Sequence, residues 1–331
     1  MRIFRAADAE PDALAGERVA VLGYGYLGRT AALNLRDSGV AVTIGNRSDE
    51  YAEQARAEGF AVASLAEAAA ADVVFVLLPD EVIPEVFPRD VAPRLAAGAA
   101  VAFASGYCLA WDPIEPPAGV DVLLLAPRMG GDAARERYLA GQGFWAYVSV
   151  EADRTGRARR RLLGLCAALG VLRQGAIETT ATTEALVDLF VEQTLGPILG
   201  AAIMTAFDVG AEAGVPPELL VMEMYMSGEM ETVFRAFRDS GLFRASRSHG
   251  ATALFGGLTR TFEIDREALR ERFLAVLDDL RGGAFAKRFQ LEAQSGYPTL
   301  DIVRRMIDEP SPIAAAEDAV RRLTRPPAPD A

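Results

Sequence analysis

The sequence predicts an α/β fold in which an N-terminal Rossmann-type domain, built on a doubly wound parallel sheet, is followed by an all-α C-terminal domain. Three observations support this fold. A glycine-rich turn joins an apolar run to a helical pattern near the start of the chain. Short apolar runs then alternate with helical patterns, and from about residue 178 only long helical patterns remain. We therefore divide the chain into domains at 1–180 and 181–331.

The glycine-rich turn points to a nucleotide. The apolar run Val19–Leu22 leads into the sequence Gly23-Tyr24-Gly25-Tyr26-Leu27-Gly28, from which we expect cofactor contacts. In a dinucleotide-binding turn, Gly23 permits the sharp bend, Gly25 lets backbone amides approach a pyrophosphate, and Gly28 allows the following helix to pack closely. The same motif also occurs as a purely structural turn. Its position between a strand and a helix favours the dinucleotide interpretation.

The end of the second strand indicates which dinucleotide. An NAD site places Asp or Glu about twenty residues after the glycines, where the carboxylate binds the ribose. Here Ile44 is followed by Gly45-Asn46-Arg47-Ser48, which contains no carboxylate. Arg47 and Ser48 suit a 2′-phosphate, so we predict NADPH. The alternative is that Asp49 or Glu50, which directly follow this segment, binds the ribose.

The alternation of strands and helices continues to about residue 170. Strands are predicted at 61–64, 72–78, 99–104, 121–126 and 144–150, the last of these being the final strand, with helices at 50–58, 65–71 and 157–169. Because doubly wound sheets bind ligands at the carboxyl ends of their strands, we add four residues there to the cofactor site. They are Leu78, Pro79, Ser105 and Gly106.

The C-terminal domain reads as helices at 183–213, 217–239 and 266–281, with a last helix after Ile313. The proline-rich tail from Arg325 is expected to fray.

Composition bounds the class of protein. The net charge of −12 argues against nucleic acid or an anionic membrane as partner. No run reaches the roughly eighteen apolar residues of a membrane span, and the start lacks a signal-peptide pattern, so a cytoplasmic enzyme is expected. Cys108 and Cys166 are too few for a disulfide framework or a zinc site. The only histidine, His249, excludes a multi-histidine metal centre.

Taken together, these segments resemble the ketol-acid reductoisomerase family in its short form, from Met1 to about Arg322. The matching phrases include GYGYLGRTAALNLRDSG, LLPDEVIPEVF, AFASGY, VDVLLLAPR, IETT, DLFVEQ, EAGVPPE, DSGL, TALFG and FAKRFQLE. The resemblance implies an NADPH- and magnesium-dependent enzyme of branched-chain amino acid biosynthesis. It also implies a knotted helical domain that pairs with a second subunit, so that the protein is a homodimer or a higher homo-oligomer.

The resemblance also implies metal ligands. The acids of DLFVEQ map onto Asp188 and Glu192, which lie one helical turn apart and offer the oxygen ligands that Mg²⁺ prefers. An ordinary solvated acidic face is the alternative. The family's second glutamate pair falls out of register, because this chain has about two extra residues there. Glu223 and Glu229 are six residues apart and share no face of a regular helix, although Gly228 permits a bulge. We expect Glu229 rather than Glu223 to reach the metal.

Further departures fall on positions that the resemblance assigns to catalysis. Arg128 stands where the family has lysine, and Ser105 where it has histidine. Gly250 replaces the family's substrate-binding serine, and Leu254 replaces a glutamate of the same phrase. His249, beside the lost serine, is either an acid or base or merely structural. Candidate catalytic residues are therefore Arg128, Asp188, Glu192, Glu229 and His249.

Three functions remain open from the sequence. The first is an NADPH-dependent reductase of a small keto or imino compound in specialised metabolism, with weak or absent alkyl migration. The second is a working magnesium-dependent ketol-acid reductoisomerase. The third is a catalytically silent NADPH-binding protein. Hydride transfer needs only the cofactor, positioning and one polarising group, whereas migration needs a two-metal clamp. The changed residues therefore favour the first.

Overall fold

A computed structural model describes residues 1–111 and 114–324 of the chain, which divides into two compact units. The first unit contains residues 1–188 and 283–290, and the second contains residues 189–282 and those from 291 onward. The proline-rich tail, for which fraying is expected, lies outside the described residues.

A nine-stranded sheet forms the centre of the first unit. Its strands are β1 (Ile3–Phe4), β2 (Val19–Leu22), β3 (Val42–Gly45), β4 (Ala61–Ala63), β5 (Val73–Val76), β6 (Ala100–Phe103), β7 (Asp121–Pro127), β8 (Trp145–Ala152) and β9 (Gly175–Glu178). Their order is β1-β9-β8-β7-β6-β5-β2-β3-β4. Neighbours from β4 to β7 are all parallel, which confirms the predicted Rossmann-type core.

The sheet extends beyond that parallel core, where the sequence prediction was incomplete. Strand β8 runs antiparallel to β7, β9 is parallel to β8, and β1 is antiparallel to β9. The expectation that 144–150 holds the final strand was therefore wrong, because β9 follows it. Strand β1 has two residues, too few for an alternating pattern to be recognised.

Helices connect most of the strands of this sheet. They are α1 (Tyr26–Asp37), α2 (Glu50–Ala57), α3 (Leu65–Ala68), α4 (Ile83–Val86), α5 (Tyr107–Ala110), α6 (Gly131–Leu139), α7 (Ala158–Ala168) and α8 (Val171–Gln174). Every residue of β2, β5 and β6 is buried, as expected for central parallel strands covered on both faces. Buried Arg161 pairs with Glu17 and Asp121 and joins the start of the chain to α7 and β7.

Helices make up most of the remaining described residues, up to residue 324. They are α9 (Ala181–Glu212), α10 (Pro217–Val221), α11 (Glu229–Ser240), α12 (Leu242–Ala245), α13 (Ala251–Glu263), α14 (Arg266–Arg281), α15 (Ala284–Gln294), α16 (Pro298–Asp308) and α17 (Pro312–Thr324). A small core of Phe207, Val221, Ala316 and Val320 lies in the second unit. This part of the chain confirms the predicted all-helical character, but the predicted helix at 217–239 is interrupted.

The interruption lies where the sequence comparison indicated extra residues. After α10 the backbone forms a π-helical segment, Met222–Met226, and then leaves the helix at Ser227. Gly228 has a φ of 81°, a left-handed conformation that glycine adopts without strain, and α11 begins at the next residue. A π-bulge accommodates inserted residues in a helix, so the structure supplies the bulge that Gly228 permits.

Much of the apolar surface of α9 is uncovered in the single chain. By length and composition α9 is apolar enough to cross a membrane: an 18-residue window has a mean hydropathy of 1.4, and 6% of that window is buried. The sequence expectation concerned an unbroken run of about eighteen apolar residues, and α9, which contains Glu184, Asp188 and Glu192, holds no such run. One such helix is only a weak indication of a membrane span, because a helix buried by another subunit has the same composition.

Candidate active site

A cavity of about 730 Å³ opens in the first unit at the carboxyl ends of β2, β3, β5 and β6. Ligands of doubly wound sheets bind at this edge. Its lining comprises Gly23, Tyr24, Gly25, Tyr26, Leu27, Asn46, Arg47, Asp49, Tyr51, Leu65, Val76, Leu77, Leu78, Pro79, Asp80, Val82, Ile83, Val86, Arg89, Phe103, Ala104 and Ser105. Most of the residues predicted to bind the cofactor are among them. Gly28, Ser48 and Gly106, which were also predicted, do not line the cavity.

The glycine turn has the construction that the motif predicts. Gly23 has a φ of 96°, and a Cβ there would lie 2.5 Å from the carbonyl oxygen of Leu77. A Cβ on Gly28 would overlap the carbonyl oxygen of Gly23. Gly25 has no neighbour within 4 Å of such a Cβ and precedes the first residue of α1. Gly23 and Gly28 therefore shape the turn, while Gly25 leaves open space beside a helix N-terminus, where a phosphate binds favourably.

Tyr24 lies on the lining, but its ring points into the protein. It is 1% exposed, and its hydroxyl donates a hydrogen bond to Glu58 at 2.5 Å. Glu58 also accepts from Arg29. Only the backbone of Tyr24 faces the turn, so its predicted role as a cofactor contact is limited to that backbone.

The tip of β3 is formed by Asn46, Arg47 and Asp49, which we call the strand tip. Asn46 accepts a hydrogen bond from the backbone N–H of Tyr24 at 3.2 Å and donates to Asp49 at 2.7 Å. It thereby ties the glycine turn to the start of α2. Asn46 was not among the residues predicted from the sequence; its only signal was an amide side chain directly after a strand that follows a glycine turn.

Charge at the strand tip is shared between Arg47 and Asp49. Arg47 Nε donates to Asp49 Oδ2 at 2.7 Å. Partial burial acts to raise the pKa of Asp49, but the bond from Arg47 and those from the N–H groups of Ala52 and Tyr51 outweigh it and hold the pKa below its ordinary value. Both side chains line the cavity, so the carboxylate considered as an alternative ribose acid stands beside the predicted phosphate ligand.

Two consecutive residues after β6, Ser105 and Gly106, connect this cavity to a group of charged residues through their hydrogen bonds. Ser105 donates to Asp80 at 3.2 Å, and both line the cavity. The next residue, Gly106, donates its backbone N–H to Glu184 at 2.7 Å. A Cβ on Gly106 would overlap the carbonyl oxygen of Ala181, so only glycine allows α9 to approach this closely.

The charged group, here called the Arg128 cluster, consists of Arg128, Glu184 and Asp188. Arg128 follows β7. Its guanidinium carbon Cζ lies over the aromatic ring of Tyr147, 4.9 Å from the ring centroid. Its Nη1 donates to Glu184 at 2.9 Å, and its Nη2 donates to Asp188. Two of the predicted catalytic residues, Arg128 and Asp188, are thus in direct contact.

Burial controls the protonation of this cluster. Glu184 is 2% exposed, and this burial raises its pKa to about 7 despite the hydrogen bond from Gly106 and the charge of Arg128. Burial acts to lower the pKa of Arg128, but its hydrogen bond to Asp188 and the two carboxylate charges outweigh that effect and raise it. Glu184 was not predicted as a site residue, although it stands four residues before Asp188, at the same helical spacing as the predicted pair Asp188 and Glu192.

The cluster offers carboxylate oxygens, the ligands that Mg²⁺ prefers. Arg128, however, already engages one oxygen of Glu184 and one of Asp188. Glu192 lies one turn further along α9. Across residues 1–111 and 114–324, no three carboxylate, imidazole or thiol side chains are grouped so that they could hold a metal ion.

The remaining candidates belong to the second unit. Glu223 lies in the π-helical segment, and Glu229 is the first residue of α11, so a helical break separates them. Tyr225, between them, donates to Glu317 at 2.6 Å and fixes the π-helical segment to α17. His249 is exposed, with Nδ1 3.3 Å from the carbonyl oxygen of Ser246. Gly250 precedes α13 and has open space around it.

Comparison with known proteins covers nearly the whole chain. Residues 13–175 match the family profile "Acetohydroxy acid isomeroreductase, NADPH-binding domain", and residues 182–325 match "Ketol-acid reductoisomerase, C-terminal domain". A ketol-acid reductoisomerase (NADP(+)) of Caldivirga maquilingensis is 38% identical over 93% of each chain. A putative ketol-acid reductoisomerase 3 of Saccharolobus solfataricus is 36% identical, over 96% of this chain and 97% of its own.

A solved structure agrees with the sequence relatives. An NADH-preferring ketol-acid reductoisomerase from an uncultured archaeon superposes with a TM-score of 0.91 at 31% identity, over 98% of this chain and 99% of its own. The resemblance inferred from the sequence phrases is therefore confirmed along both domains. Because two family profiles together match most of its length and relatives are 36–38% identical over more than nine tenths of it, this chain belongs to the ketol-acid reductoisomerase family of NADP-dependent oxidoreductases.

Proposed function

We propose that the chain is an NADPH-dependent reductase of a small keto or imino compound, with weak or no alkyl migration. The observation that carries this proposal is the contact of one guanidinium, that of Arg128, with the carboxylates of both Glu184 and Asp188. Asp188 is one of the two residues that would hold Mg²⁺ by family resemblance, Glu192 being the other. In this chain a fixed cation already neutralises part of that charge.

The reason is electrostatic. Alkyl migration develops negative charge on two oxygens at once, and stabilising both requires a pair of metal ions in fixed geometry. Mg²⁺ sheds its water reluctantly and depends on the anionic charge of its protein ligands. Arg128 repels a divalent ion and occupies oxygens that it would need. A lysine there would carry the same charge as a compact, mobile ammonium group, whereas the guanidinium is a planar fork.

Reduction makes smaller demands on these residues. NADPH, when bound, supplies the hydride. The glycine turn orients the dinucleotide, and Arg128 has five N–H donors, of which Glu184 and Asp188 take two, so it can polarise a carbonyl or imine. Glu184, with its pKa raised by burial to about 7, holds a proton in part of the population near neutral pH and fixes the position of Arg128.

NADPH is the proposed cofactor because Arg47 stands at the strand tip, where a 2′-phosphate binds. The archaeal relative of known structure is NADH-preferring, so cofactor preference varies within the family. Direct titration with both nucleotides is therefore the first measurement to make.

A working ketol-acid reductoisomerase of branched-chain amino acid biosynthesis is the alternative. It is favoured by the names of the relatives, which are at least 36% identical over most of their length, and by the retention of Asp188 and Glu192. A silent NADPH-binding protein is a third candidate, against which the intact glycine turn argues.

Product analysis separates these candidates. The protein is incubated with NADPH and 2-acetolactate, simple 2-keto acids or cyclic imines, with and without Mg²⁺. We expect reduction of a keto acid or imine without the rearranged dihydroxy acid. Formation of that rearranged acid from 2-acetolactate at an ordinary enzymatic rate would establish the reductoisomerase instead. Binding of NADPH without any reduction would establish the silent protein.

Calorimetry of Mg²⁺ tests the structural reason. Arg128→Lys should bind Mg²⁺ about tenfold more tightly than the unmodified protein, because the fork between the carboxylates is lost while the charge remains. Asp188→Asn should bind Mg²⁺ more weakly than the unmodified protein does. Tight binding of two ions by the unmodified protein, insensitive to Asp188→Asn, would refute the argument.

We also propose that the protein is a cytoplasmic homodimer or larger homo-oligomer. Large apolar side chains on three helices of the second unit are exposed in the single chain, among them Val191, Leu195, Phe255, Phe262 and Met306. Exposed apolar surface of this extent marks an interaction site, and a second copy of the chain is the partner that the family resemblance implies. Light scattering after gel filtration distinguishes a dimer from a monomer.

A further inference from the structure

Strand β8 contacts both the cation of the Arg128 cluster and the helix that carries its acids. Tyr147 lies beneath the guanidinium of Arg128. Two residues further along the strand, Ser149 is 5% exposed, and its hydroxyl donates a hydrogen bond to Oε1 of Glu151 at 2.5 Å. The same carboxylate oxygen accepts the backbone N–H of Ala181 at 2.7 Å. A carboxylate of β8 therefore holds the first residue of α9.

Glu151 stands at an irregularity of the sheet. Adjacent residues of β7 pair with Val150 and Ala152 of β8, so Glu151, between them, has no partner on β7. An extra residue of this kind forms a β-bulge, which changes the direction of a side chain and often lies beside an active site. The direction of the Glu151 side chain is therefore set by the register of the sheet.

The first turn of α9 fixes the acids of the cluster. Ala181 is 1% exposed, and a Cβ on Gly106 would overlap its carbonyl oxygen. Glu184, three residues later, accepts the N–H of the same glycine, and Asp188 follows one turn after it. Because the residues of one helix move together, a shift of Ala181 would move both acids relative to Arg128.

We infer that Glu151 is a positioning residue of the candidate active site. By holding the N–H of Ala181, it sets the place of α9 on the sheet and so the reach of the two acids to Arg128. Glu151 does not line the cavity and acts through α9. The effect on turnover rests on the proposed function, whereas the effect on the geometry of α9 does not.

Hydrogen exchange followed by mass spectrometry tests the geometry without any substrate. Glu151→Ala should speed the exchange of the Gly106 amide by about tenfold or more, because Glu184 protects this N–H only while α9 stays in place. Glu151→Gln should stay within about threefold of the unmodified protein, because its amide oxygen can still accept from Ala181. Faster exchange at Ala181 without a change at Gly106 would overturn the inference, since Glu151 would then only cap α9.

Asp153→Ala is the matched control. The Asp153 carboxylate also accepts a backbone N–H, that of Gly156 at 2.7 Å, but it does so in the turn before α7. This variant should leave the exchange at Gly106 within about twofold. An acceleration equal to that of Glu151→Ala would reveal a general loss of stability and overturn the inference.

A second variant keeps the test decisive if Glu151→Ala does not fold, as judged by circular dichroism. Ser149→Ala releases the carboxylate of Glu151 without removing it, so it should speed the exchange at Gly106 by about threefold. An unchanged exchange rate in Ser149→Ala would then overturn the inference.

Kinetics test the link to the reaction, with NADPH oxidation measured on 2-acetolactate and on pyruvate. Glu151→Ala should lower kcat by about tenfold or more, since a small displacement of site residues slows a reaction strongly. The KM for NADPH should change by less than about twofold, and Glu151→Gln should recover most of kcat. An unchanged kcat in Glu151→Ala would overturn the inference. If the unmodified protein reduces neither acceptor, the proposed function fails, and hydrogen exchange still decides the inference.

Discussion

The glycine turn and the Arg128 cluster lie at the same edge of one sheet, yet they depend on different parts of the chain. The turn is made by backbone: Gly23 and Gly28 are close to main-chain carbonyl groups that leave no room for a side chain. The Arg128 cluster is made by charged side chains from segments as far as 60 residues apart in sequence. The turn can therefore be recognised from six consecutive residues, whereas the cluster becomes visible only when β7 and α9 are placed together.

The difference also decides how each region can change. A backbone turn is disrupted wherever an added Cβ meets a main-chain carbonyl, as at Gly23 and Gly28, so few sequences can form it. A cluster of charges can exchange one cation for another and keep its fold while its chemistry changes, which is the change that the sequence resemblance predicts at Arg128. Divergence of function is accordingly expected in the Arg128 cluster before it is expected in the turn.

The largest effect that tests this comparison is expected at Gly28. Gly28→Ala should lower the free energy of unfolding by about 3 kcal/mol or more, because the new methyl group overlaps the backbone of Gly23. Gly25→Ala is the control: with no neighbour within 4 Å, it should cost less than about 1 kcal/mol while weakening nucleotide binding. Urea denaturation measures both. Equal midpoints for the two variants would show that the turn is less rigid than its contacts indicate.

The contribution of the Arg128 cluster to the free energy of unfolding should depend on pH. Burial raises the pKa of Glu184 from 4.5 to about 7, so the folded protein binds this proton more tightly than the unfolded chain. The resulting stabilisation is complete below pH 4.5 and is lost as the pH rises through about 7; it amounts to about 3 kcal/mol. Glu184→Gln cannot titrate, so the variant should gain on the unmodified protein by this amount between about pH 4 and pH 8.

Unfolding of both proteins by urea at several pH values provides the measurement. The stabilities must be compared at several pH values, because Gln places an amide N–H against the donors of Arg128 or Gly106. This clash lowers the stability of the variant by the same amount at every pH. Glu136→Gln, at an exposed position on α6, controls for the loss of a charge. A difference between Glu184→Gln and the unmodified protein that does not vary with pH would contradict the assigned protonation.

The sequence predicted features that depend on local residues, as it did for the glycine turn, better than features that depend on distant partners, such as the Arg128 cluster. The parallel strands and α14 were predicted closely, because buried runs and helical periodicity are local signals. The break after α10 was indicated by two inserted residues, and Gly228 takes the left-handed conformation that the break requires. Strand β1 has only two residues and was not recognised, because its structure depends on pairing with β9 rather than on a pattern of its own.

Within the candidate site, the residues that were missed are those defined by a distant partner. Asn46 joins the glycine turn to α2, and Glu184 joins α9 to Gly106 and Arg128. Neither residue type is unusual at its position in sequence. Only the assembled sheet, which brings β6 and β7 side by side, indicates that Glu184 is buried against a cation.

A smaller effect on nucleotide binding is expected at Arg47, a charged side chain that lines the cavity together with the glycine turn. Arg47→Ala should narrow the difference in binding free energy between NADPH and NADH by about 1–3 kcal/mol, through the loss of a charge-assisted contact with the 2′-phosphate. The stability of the protein should change little, because the Arg47 side chain is 84% exposed. Titration with both nucleotides provides the measurement. An unchanged difference would mean that the strand tip does not contact the phosphate.

The smallest effect concerns Tyr24, which separates backbone from side chain within the glycine turn itself. Tyr24→Phe removes a hydroxyl that bonds to Glu58, away from the cavity, so it should cost about 1 kcal/mol of stability. The loss is small because Glu58 keeps its bond to Arg29. Nucleotide affinity should change by less than about twofold, since only the backbone of Tyr24 faces the turn.

Tyr26→Ala provides the contrast. Tyr26 is 61% exposed and lines the cavity, so the loss of its ring should weaken nucleotide binding and leave stability nearly unchanged. Urea denaturation and nucleotide titration of the two variants complete the comparison. If Tyr24→Phe weakened nucleotide binding more than Tyr26→Ala, the buried hydroxyl would belong to the cofactor site, and the turn would depend on side-chain chemistry as the Arg128 cluster does.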